Sequence, residues 1–429
     1  MRVLYITTEL PYPLTSGFLR HYHFLRVLGA QGARHNITYL SLTRRPEVSP
    51  ETRAALEPLV ERMMVFGASS ASEPKLVKQA RRLPGVGRKY QRALRLRLAA
   101  QAMKRTVQEL VQREKYDLVF FSGKDTFPAI EHLEGLPLVV DCCDTTSLRV
   151  TGEMRYANPA RWLWLAMRYL EVRRIEKKLL QKTPYLAFAS GRDQRAMIGT
   201  AQMGDVIPQA VDLDYWTRRS HNPGPNRIIF TGVMNYPPNH DAALFLIDKV
   251  LPIVRQAVPG VQVFIVGRDP LPALRKAAQR HPEVTLTGQP NDMRDYFEQA
   301  TVACAPIRFA SGMQFKVLEA LAMQVPMVTT PVAADGLYIA GEAPPLVEAT
   351  HEHDMAAGVI KLLQSGDERA RLRAAGRRFV EKHFVWESSI AKLEKMWLEA
   401  AQSGAASQTE SQKRASAPDL DSRIGTPGD

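Results

Sequence analysis

Short apolar runs alternate with longer helical patterns through the second half of the chain. The strand-like runs cover 227–231, 261–266, 284–288, 302–306 and 326–329. The first two runs end at Gly232 and Gly267, and apolar residues recur at helical spacing in 241–258 and 312–323. Strands that alternate with helices form parallel sheets covered by helices. This half is therefore predicted to be a doubly wound α/β domain.

The first half shows the same alternation of strand-like and helical runs, but less regularly. Its strand-like runs cover 3–6, 37–42, 118–121 and 138–140. We therefore predict the α/β class, with one doubly wound domain at 1–207 and a second at 208–384. A last helix is predicted at 385–402. Residues 403–429 are rich in Ser, Ala, Gly, Gln and Pro, which predicts a disordered tail.

The chain has 57 Lys and Arg against 44 Asp and Glu, a formal net charge of +13, which favours an anionic partner. Much of this excess lies in 75–105, which has no acidic residue. Its basic residues are Lys75, Lys78, Arg81, Arg82, Arg88, Lys89, Arg92, Arg95, Arg97, Lys104 and Arg105. With Leu94, Leu96, Leu98 and Met103 they predict a basic amphipathic helix on an anionic membrane surface. A solvated face beside an anionic substrate is the alternative. Nucleic acid is disfavoured because no aromatic stacking pattern accompanies the charge.

The remaining composition argues for a reducing compartment. The three cysteines, Cys142, Cys143 and Cys304, form no CxxC pair and predict neither a disulfide framework nor a zinc site. The apolar run after Met1 is too short for a signal-peptide core. No stretch approaches the ~18 apolar residues of a spanning helix. We therefore expect a cytoplasmic protein, with any contact to the inner membrane peripheral.

A glycine, a lysine and a glutamate follow the strand predicted at 302–306. A helix that begins at Gly312 would present backbone N–H groups to an anion. Lys316 lies one turn further along, and Glu319 lies three residues beyond it, near the same face. A diphosphate would bind the N–H groups and Lys316, and a ribose would donate its hydroxyls to Glu319. The alternative, an ordinary surface pair of Lys316 and Glu319, is equally compatible with the spacing.

The run FKVLEALAMQVPMV at 315–328 resembles the donor-site signature of retaining glycosyltransferases of family 4, which have the GT-B fold. Ser16-Gly17 with Arg20 is similar to the N-terminal glycine loop of that family, and VIPQAVD at 206–212 stands in the place of its interdomain segment. The resemblance implies two Rossmann-like domains that face a central cleft. It also implies that the helix at 385–402 packs back on the first domain.

Two further stretches, 231–239 and 140–144, look like a subgroup tied to bacterial exopolysaccharide and exosortase-linked loci. The chain departs from the family at two places. Ser311 stands where the family has the first of two glutamates, which contacts donor-sugar hydroxyls, and Glu319 is the second. The Asn-Gly of the interdomain segment is replaced by Gln209-Ala210.

The residues and the resemblance together give a candidate site. No DxD cluster adjoins a metal-compatible loop, so we expect no metal and no cofactor, and cationic side chains would stabilise the leaving diphosphate. The donor-binding candidates are Gly17, Ser311, Gly312, Met313, Lys316, Glu319 and Arg268. The catalytic candidates are Asp144, Asp141, Lys316 and Arg308. Asp141 and Asp144 follow a predicted strand and would face an acceptor; a turn residue for Asp141 and a helix N-cap for Asp144 are the alternatives.

The expected function is transfer of a sugar, with retention, from a nucleotide-diphosphate sugar to a saccharide or lipid-linked acceptor. Exopolysaccharide or cell-surface glycan synthesis is the expected setting. A nucleotide-sugar epimerase on the same fold would need a His/Glu/Asp set beside the sugar, and the start of the predicted helix offers none. A non-catalytic nucleotide-sugar-binding component of a polysaccharide assembly complex is the main alternative, and Ser311 is its best support.

Overall fold

The structure is a computed structural model. It describes the backbone of residues 1–13, 19–30, 34–45, 47–67, 88–219, 224–339 and 341–415, and their side chains except for 88–92 and 406–415. The strands in this part of the chain are β1 Arg2–Thr8, β2 Asn36–Leu42, β3 Arg62–Phe66, β4 Leu118–Ser122, β5 Leu138–Cys142, β6 Leu186–Phe188, β7 Asp205–Val206, β8 Arg227–Thr231, β9 Gln262–Val266, β10 Val284–Gly288, β11 Val302–Ala305, β12 Met327–Thr329 and β13 Val347–Glu348.

The helices connect these strands. They are α1 Leu19–Leu28, α2 Pro50–Leu56, α3 Arg88–Arg113, α4 Thr146–Met154, α5 Pro159–Lys182, α6 Gly191–Ile198, α7 Pro237–Phe245, α8 Leu251–Ala257, α9 Pro272–Gln279, α10 Arg294–Gln299, α11 Phe315–Ala322, α12 Pro331–Ala334, α13 Glu352–Gln364, α14 Gly366–His383 and α15 Trp386–Ala415. A π-helical turn, Leu246–Val250, joins α7 to α8.

The strand orders are β3-β2-β1-β4-β5-β6-β7 and β10-β9-β8-β11-β12-β13. In both sheets the chain begins in the middle, runs to one edge and returns to continue on the other side, which is the doubly wound arrangement. The α/β class predicted from the alternating pattern is confirmed. The pairs are parallel, with Val3 opposite Ile37 in the first sheet and Arg227 opposite Gln262 in the second.

The chain divides into two compact units. Unit 1 comprises Met1–Pro13, Phe24–Val140 and Leu393–Asp429, and unit 2 comprises Leu14–His23 and Asp141–Lys392. In unit 1 the C-terminal part of α15 packs on the sheet. The Trp397 ring lies 5.3 Å from the Phe120 ring and 6.1 Å from the Tyr5 ring, centroid to centroid. The last helix therefore completes the unit 1 core.

The basic segment at 75–105 is described only in part. Residues 75–87 lie outside the described residues, and α3 begins at Arg88. Met103, Val107 and Leu110 are buried in α3, so its apolar residues include members of the unit 1 core. None of the described helices is long and apolar enough to cross a membrane.

In unit 2 the predicted strand ends meet closely. A Cβ placed on Gly267 would lie 1.8 Å from the carbonyl oxygen of Gly232, and Gly267 has a φ of +147°. Only glycine fits this approach.

Helix α15 continues to Ala415, whereas the composition predicted its end near 402. The stretch 402–415 contains three Ala, three Gln and one each of Glu, Lys and Arg, and no Pro, so most of its residues are good helix formers. The rest of the predicted tail, 416–429, lies outside the described residues.

Candidate active site

Helix α11 carries the two residues singled out by their spacing. It begins at Phe315 rather than at Gly312, because Gly312 has a φ of +65° and this left-handed conformation precedes the helix. Ser311 therefore also lies before the helix. The Val317 N–H donates to the Gln314 carbonyl at 2.9 Å, which leaves the N–H groups of Phe315 and Lys316 at the N-terminus of α11 without a partner inside the helix. Any anion contact to the backbone is expected there.

Lys316 and Glu319 are partly buried in unit 2. Burial lowers the pKa of Lys316 from 10.5 to about 8, partly offset by the charge of Glu319. Burial also raises the pKa of Glu319 from 4.5 to about 7, with Lys316 acting in the opposite direction. Lys316 Nζ donates to Gln314 Oε1 at 3.1 Å. Among the ion pairs of the described residues, none within 4.0 Å joins Lys316 to Glu319, so they are not an ordinary surface pair.

Tyr215 lies in the electrostatic field of Glu319. Its pKa is raised by burial first, then by Asp292, with a smaller contribution from Glu319. The Arg294 guanidinium lies 4.1 Å from the centre of the Tyr215 ring, and Tyr215 Oη donates to Asp292 Oδ1 at 3.4 Å. This group was not predicted, because no local pattern links Tyr215 to Glu319.

Asp193 fixes the loop before α11. Its carboxylate accepts the Gly312 N–H at 3.0 Å and the Thr145 N–H at 2.8 Å. Ser190 Oγ caps α6 by accepting the Asp193 N–H and donates to Asp193 Oδ2. The N–H of Gly312 is thus already engaged. The Ser190-x-x-Asp193 spacing resembles a helix capping box and is the sequence signal that could have identified Asp193.

Ser311 and Asp144 are in contact. Ser311 Oγ donates to Asp144 Oδ2 at 3.2 Å, and Thr146 Oγ1 donates to the same oxygen at 3.1 Å. The N-cap of α4 is Thr145, so Asp144 is not the N-cap that was the alternative. The structure therefore brings a donor-side candidate and an acceptor-side candidate together.

Asp141 is buried at the end of β5 instead of lying in a turn. Its Oδ1 lies 3.4 Å from a terminal nitrogen of Arg20, and its Oδ2 lies 3.6 Å from His21 Nε2. Arg20 also donates to the Ile207 carbonyl at 3.2 Å. Burial and the adjacent Arg20 lower the pKa of His21 to about 3, so the imidazole is neutral. With no exposed side-chain surface, Asp141 holds neighbouring segments and does not contact solvent.

The two predicted arginines have carboxylate partners. Arg308 binds Asp241 through Nε at 2.8 Å and through a second, shorter contact, and this pairing raises the pKa of Arg308. Arg268 donates to Asp269 at 2.7 Å and is about half exposed. Of the three predicted cations, Lys316 is the one that forms no ion pair with a carboxylate among the described residues.

Two other candidates have different outcomes. Met313 is buried, and its sulfur accepts the Gln209 N–H at 3.2 Å. Gln209 Nε2 contacts Cys143 Sγ at 3.2 Å, so the Gln209 that replaces the Asn of the family's interdomain segment packs against Cys143. Gly17, with Ser16, lies outside the described residues. Within the described part of the chain, no group of three or more His, Cys, Asp or Glu residues could hold a metal ion.

Comparison with known proteins gives one family match. The family model described as Glycosyl transferases group 1 matches residues 225–365, about a third of the chain, so this part of the chain is similar to that family. This range includes α11 and Tyr215's partners Asp292 and Arg294. No curated protein matches the chain.

Solved structures match over most of the chain. HepE of Anabaena, solved in complex with UDP-glucose, is 12% identical with a TM-score of 0.64, covering 93% of this chain and 100% of its own. Sucrose-phosphate synthase of Thermosynechococcus elongatus is 15% identical with a TM-score of 0.67, covering 93% and 99%. A glycosyltransferase of Rickettsia africae is 11% identical with a TM-score of 0.58, covering 93% and 98%. These likenesses show that the chain has the GT-B fold.

Proposed function

We propose that this chain is a glycosyltransferase that moves a sugar from a nucleotide-diphosphate sugar to a saccharide or lipid-linked acceptor. The observation that carries the proposal is the state of Lys316 and Glu319. Both side chains are partly buried on one face of α11 with no ion pair between them, and this burial disfavours the charged form of each in the free protein. A bound diphosphate would compensate the charge of Lys316, and ribose hydroxyls would donate hydrogen bonds to Glu319.

The comparisons support the same chemistry. The Glycosyl transferases group 1 match contains Lys316 and Glu319. The structural neighbour HepE was solved with UDP-glucose, and we extend to this chain only the general class of nucleotide-diphosphate sugar.

In the proposed reaction the bond between the sugar and the diphosphate breaks, the acceptor oxygen forms the new bond to the sugar, and the proton of the acceptor hydroxyl passes to the departing diphosphate. Lys316 is mostly protonated at pH 7 and stabilises the charge that develops on the leaving diphosphate. Glu319 accepts hydrogen bonds from the ribose hydroxyls. Asp144, which accepts hydrogen bonds from Ser311 and Thr146, lies on the acceptor side. We propose retention, with attack on the same face as the departing diphosphate.

The proposed site works without a metal, because Lys316 and the first N–H groups of α11 supply positive charge where a metal would otherwise stand. We further propose a cytoplasmic protein that serves exopolysaccharide or cell-surface glycan synthesis at the inner membrane. Residues 75–105 would supply an electrostatic contact to anionic lipid. The resemblance of 231–239 and 140–144 to exopolysaccharide-linked transferases supports this setting.

A donor screen tests the proposal. The purified full chain is titrated with UDP-, GDP- and ADP-sugars, and the shift in melting temperature is measured. A ligand that binds only the folded state stabilises it by about 2.7 kcal/mol at a hundredfold excess over Kd, so the true donor should stand out. Sugar release from that donor, with and without acceptor, is then measured.

The screen separates the enzyme from a non-catalytic nucleotide-sugar-binding component. Binding with acceptor-dependent sugar transfer supports the enzyme. Binding without release or transfer on any acceptor supports the binding component, for which Ser311 in place of the family glutamate is the best argument. The absence of a stabilising nucleotide sugar would contradict both.

Replacing Arg88, Lys89, Arg92 and Arg95 with Gln tests the electrostatic contact. Each basic residue near an anionic surface contributes about 1 kcal/mol, so sedimentation with anionic vesicles should fall. Donor binding should be unchanged. Unaltered sedimentation would leave this segment as a solvated face.

A further inference from the structure

Helix α5 exposes most of the large apolar side chains found on the described surface of unit 2. The exposed fractions are Trp162 48%, Leu163 61%, Trp164 49%, Met167 59% and Leu170 69%. All lie within nine consecutive residues. Exposed apolar residues are ordinary when scattered, but a contiguous group on one helix indicates an interaction surface.

The helix geometry shows that this exposure is directional. The buried residues Leu165, Val172 and Leu179 mark the face of α5 that packs inward. At 3.6 residues per turn, Leu163, Met167 and Leu170 project on the opposite side, roughly 180° away. We call Leu163, Met167 and Leu170 the outer stripe. Trp162 and Trp164 flank it, so α5 has an apolar face in the core and a second one toward solvent.

The start of α5 is firmly held. Asn158 Oδ1 accepts the Arg161 N–H at 2.9 Å and caps the helix. The Arg161 guanidinium binds Glu153 on α4 at 2.7 Å and lies 4.2 Å from the centre of a Trp164 ring. The outer stripe is therefore presented by a fixed helix.

Basic residues surround the outer stripe. Residues 155–182 contain eight Lys and Arg against two Glu, and one of the two, Glu176, is buried. Arg155, Arg174 and Lys177 are exposed. Arg174 and Lys177 lie on the same side as the outer stripe, one to two turns further along.

We propose that the outer stripe of α5, with Trp162 and Trp164, inserts into the interface of an anionic lipid bilayer. Aromatic and aliphatic side chains would enter the boundary between headgroups and acyl chains, and the flanking arginines and lysines would bind lipid phosphates. The contact lies in the membrane plane and is separate in the chain from the one proposed for 75–105.

The charge beside the outer stripe favours anionic lipid over a second copy of the chain. Residues 155–182 carry eight Lys and Arg against two Glu, so lipid phosphates would be attracted, whereas the same face of another copy would be repelled.

Lipid docking at α5 would serve the proposed transfer to a lipid-linked acceptor. Helix α4 packs against α5 and begins just after Asp144 and Thr145. A Cβ on Gly152 of α4 would lie 2.7 Å from Phe309 Cβ, so α4 also packs closely on the loop that leads to α11. This part of the inference rests on the proposed function, whereas lipid binding itself does not.

Tryptophan emission with vesicles tests the inference in the absence of any donor. The chain has five tryptophans, and Trp216, Trp386 and Trp397 are at most 9% exposed. Vesicles of phosphatidylcholine with phosphatidylglycerol should therefore shift the emission of Trp162 and Trp164 to the blue. Vesicles of phosphatidylcholine alone should give a much smaller shift. Part of the binding should persist at about 0.5 M salt, where a Debye length of about 4 Å screens surface charges.

Variants locate the contact. Replacing Leu163, Met167 and Leu170 with Gln should weaken partitioning onto the anionic vesicles by at least about tenfold and abolish the salt-resistant part. The matched control replaces Val27, Leu271 and Leu398, three exposed apolar residues outside α5, with Gln and should bind like the wild type. Nucleotide binding measured by thermal shift should be the same in all three proteins and shows that they are folded.

Three results would overturn the inference. These are wild-type partitioning by the outer-stripe variant, no binding of the wild type to anionic vesicles, and a blue shift that depends on protein concentration without lipid, which would indicate a second copy. If lipid binding fails but donor turnover is intact, the lipid inference is wrong and the proposed reaction stands. If turnover is absent but lipid binding is intact, the proposed reaction is wrong and the lipid inference stands.

Discussion

Replacing Lys316 with Met should make the protein more stable while weakening its affinity for a nucleoside diphosphate. Burial lowers the pKa of Lys316 from 10.5 to about 8. This difference corresponds to about 3 kcal/mol of unfavourable free energy for the charged form in the folded state. Met has a similar length and no charge. Loss of the hydrogen bond to Gln314 costs about 1 kcal/mol, so a net gain of about 1–2 kcal/mol is expected.

Affinity should change in the opposite direction. A charge-assisted contact to a diphosphate contributes about 1.5–3 kcal/mol, so Kd for the nucleoside diphosphate should rise roughly tenfold to 150-fold. The free energy of unfolding is measured by chemical denaturation without ligand, and Kd by calorimetry. Lys276→Met, at an exposed lysine of the same unit, is the matched control and should change neither quantity appreciably.

Opposite signs are expected of a residue kept for function at a cost in stability. The reasoning is refuted if Lys316→Met destabilises the protein and leaves the nucleotide Kd unchanged. Lys316 would then be a structural residue, and the diphosphate would bind elsewhere.

Three further predictions concern the same site. The affinity for nucleoside diphosphate should be highest between about pH 7 and 8, because binding requires protonated Lys316 and ionised Glu319. Lys316 loses its proton as the pH rises through about 8, and Glu319 gains one as the pH falls through about 7. Equal Kd values from pH 6 to 9 in calorimetry would contradict this. Glu319→Gln should weaken nucleoside diphosphate binding by about tenfold or more, because charge-assisted hydrogen bonds to the ribose are lost. Ser311→Glu, beside Asp144, should instead change turnover or sugar preference and leave the Kd for nucleoside diphosphate nearly constant. Asp193→Ala should lower the free energy of unfolding by about 1–3 kcal/mol, because it removes the oxygen that accepts the Gly312 and Thr145 N–H groups, and a denaturation midpoint equal to that of the wild type would count against this role.

The sequence predicts the regular strands of the fold well, for a physical reason. Strand β8 was predicted with its observed bounds, and β10 likewise, because their apolar residues and terminal glycines give a strong local pattern. Strands β7 and β13 have two residues each, and β3 is only half-buried, so periodicity gives no signal for them. The sequence predicts the start of α11 three residues early, because a glycine after a strand can either begin a helix or, as Gly312 does, adopt a left-handed conformation before it.

The site is predictable where its residues share one element. Lys316 and Glu319 follow from spacing on a single helix. Asp193 does not, because it reaches Gly312 across 119 residues of chain. For Arg308 the sequence gives the wrong impression. Its position near Gly312 suggests a cation available to a ligand, but Asp241, 67 residues earlier in the chain, pairs with it. Such partners are set by strand order and helix packing, which a local pattern does not contain.

The contact of Trp397 with Tyr5 has a consequence for how the protein is made. Tyr5 leaves the ribosome almost 400 residues before Trp397. At about 5–20 residues per second, unit 1 waits on the order of tens of seconds for the side chain that completes its core. Its sheet residues remain incompletely covered during this interval, so nascent chains are exposed to aggregation and to chaperones until Trp397 emerges. A stop codon shortly before Trp397 would therefore impair a sheet whose strands were synthesised long before.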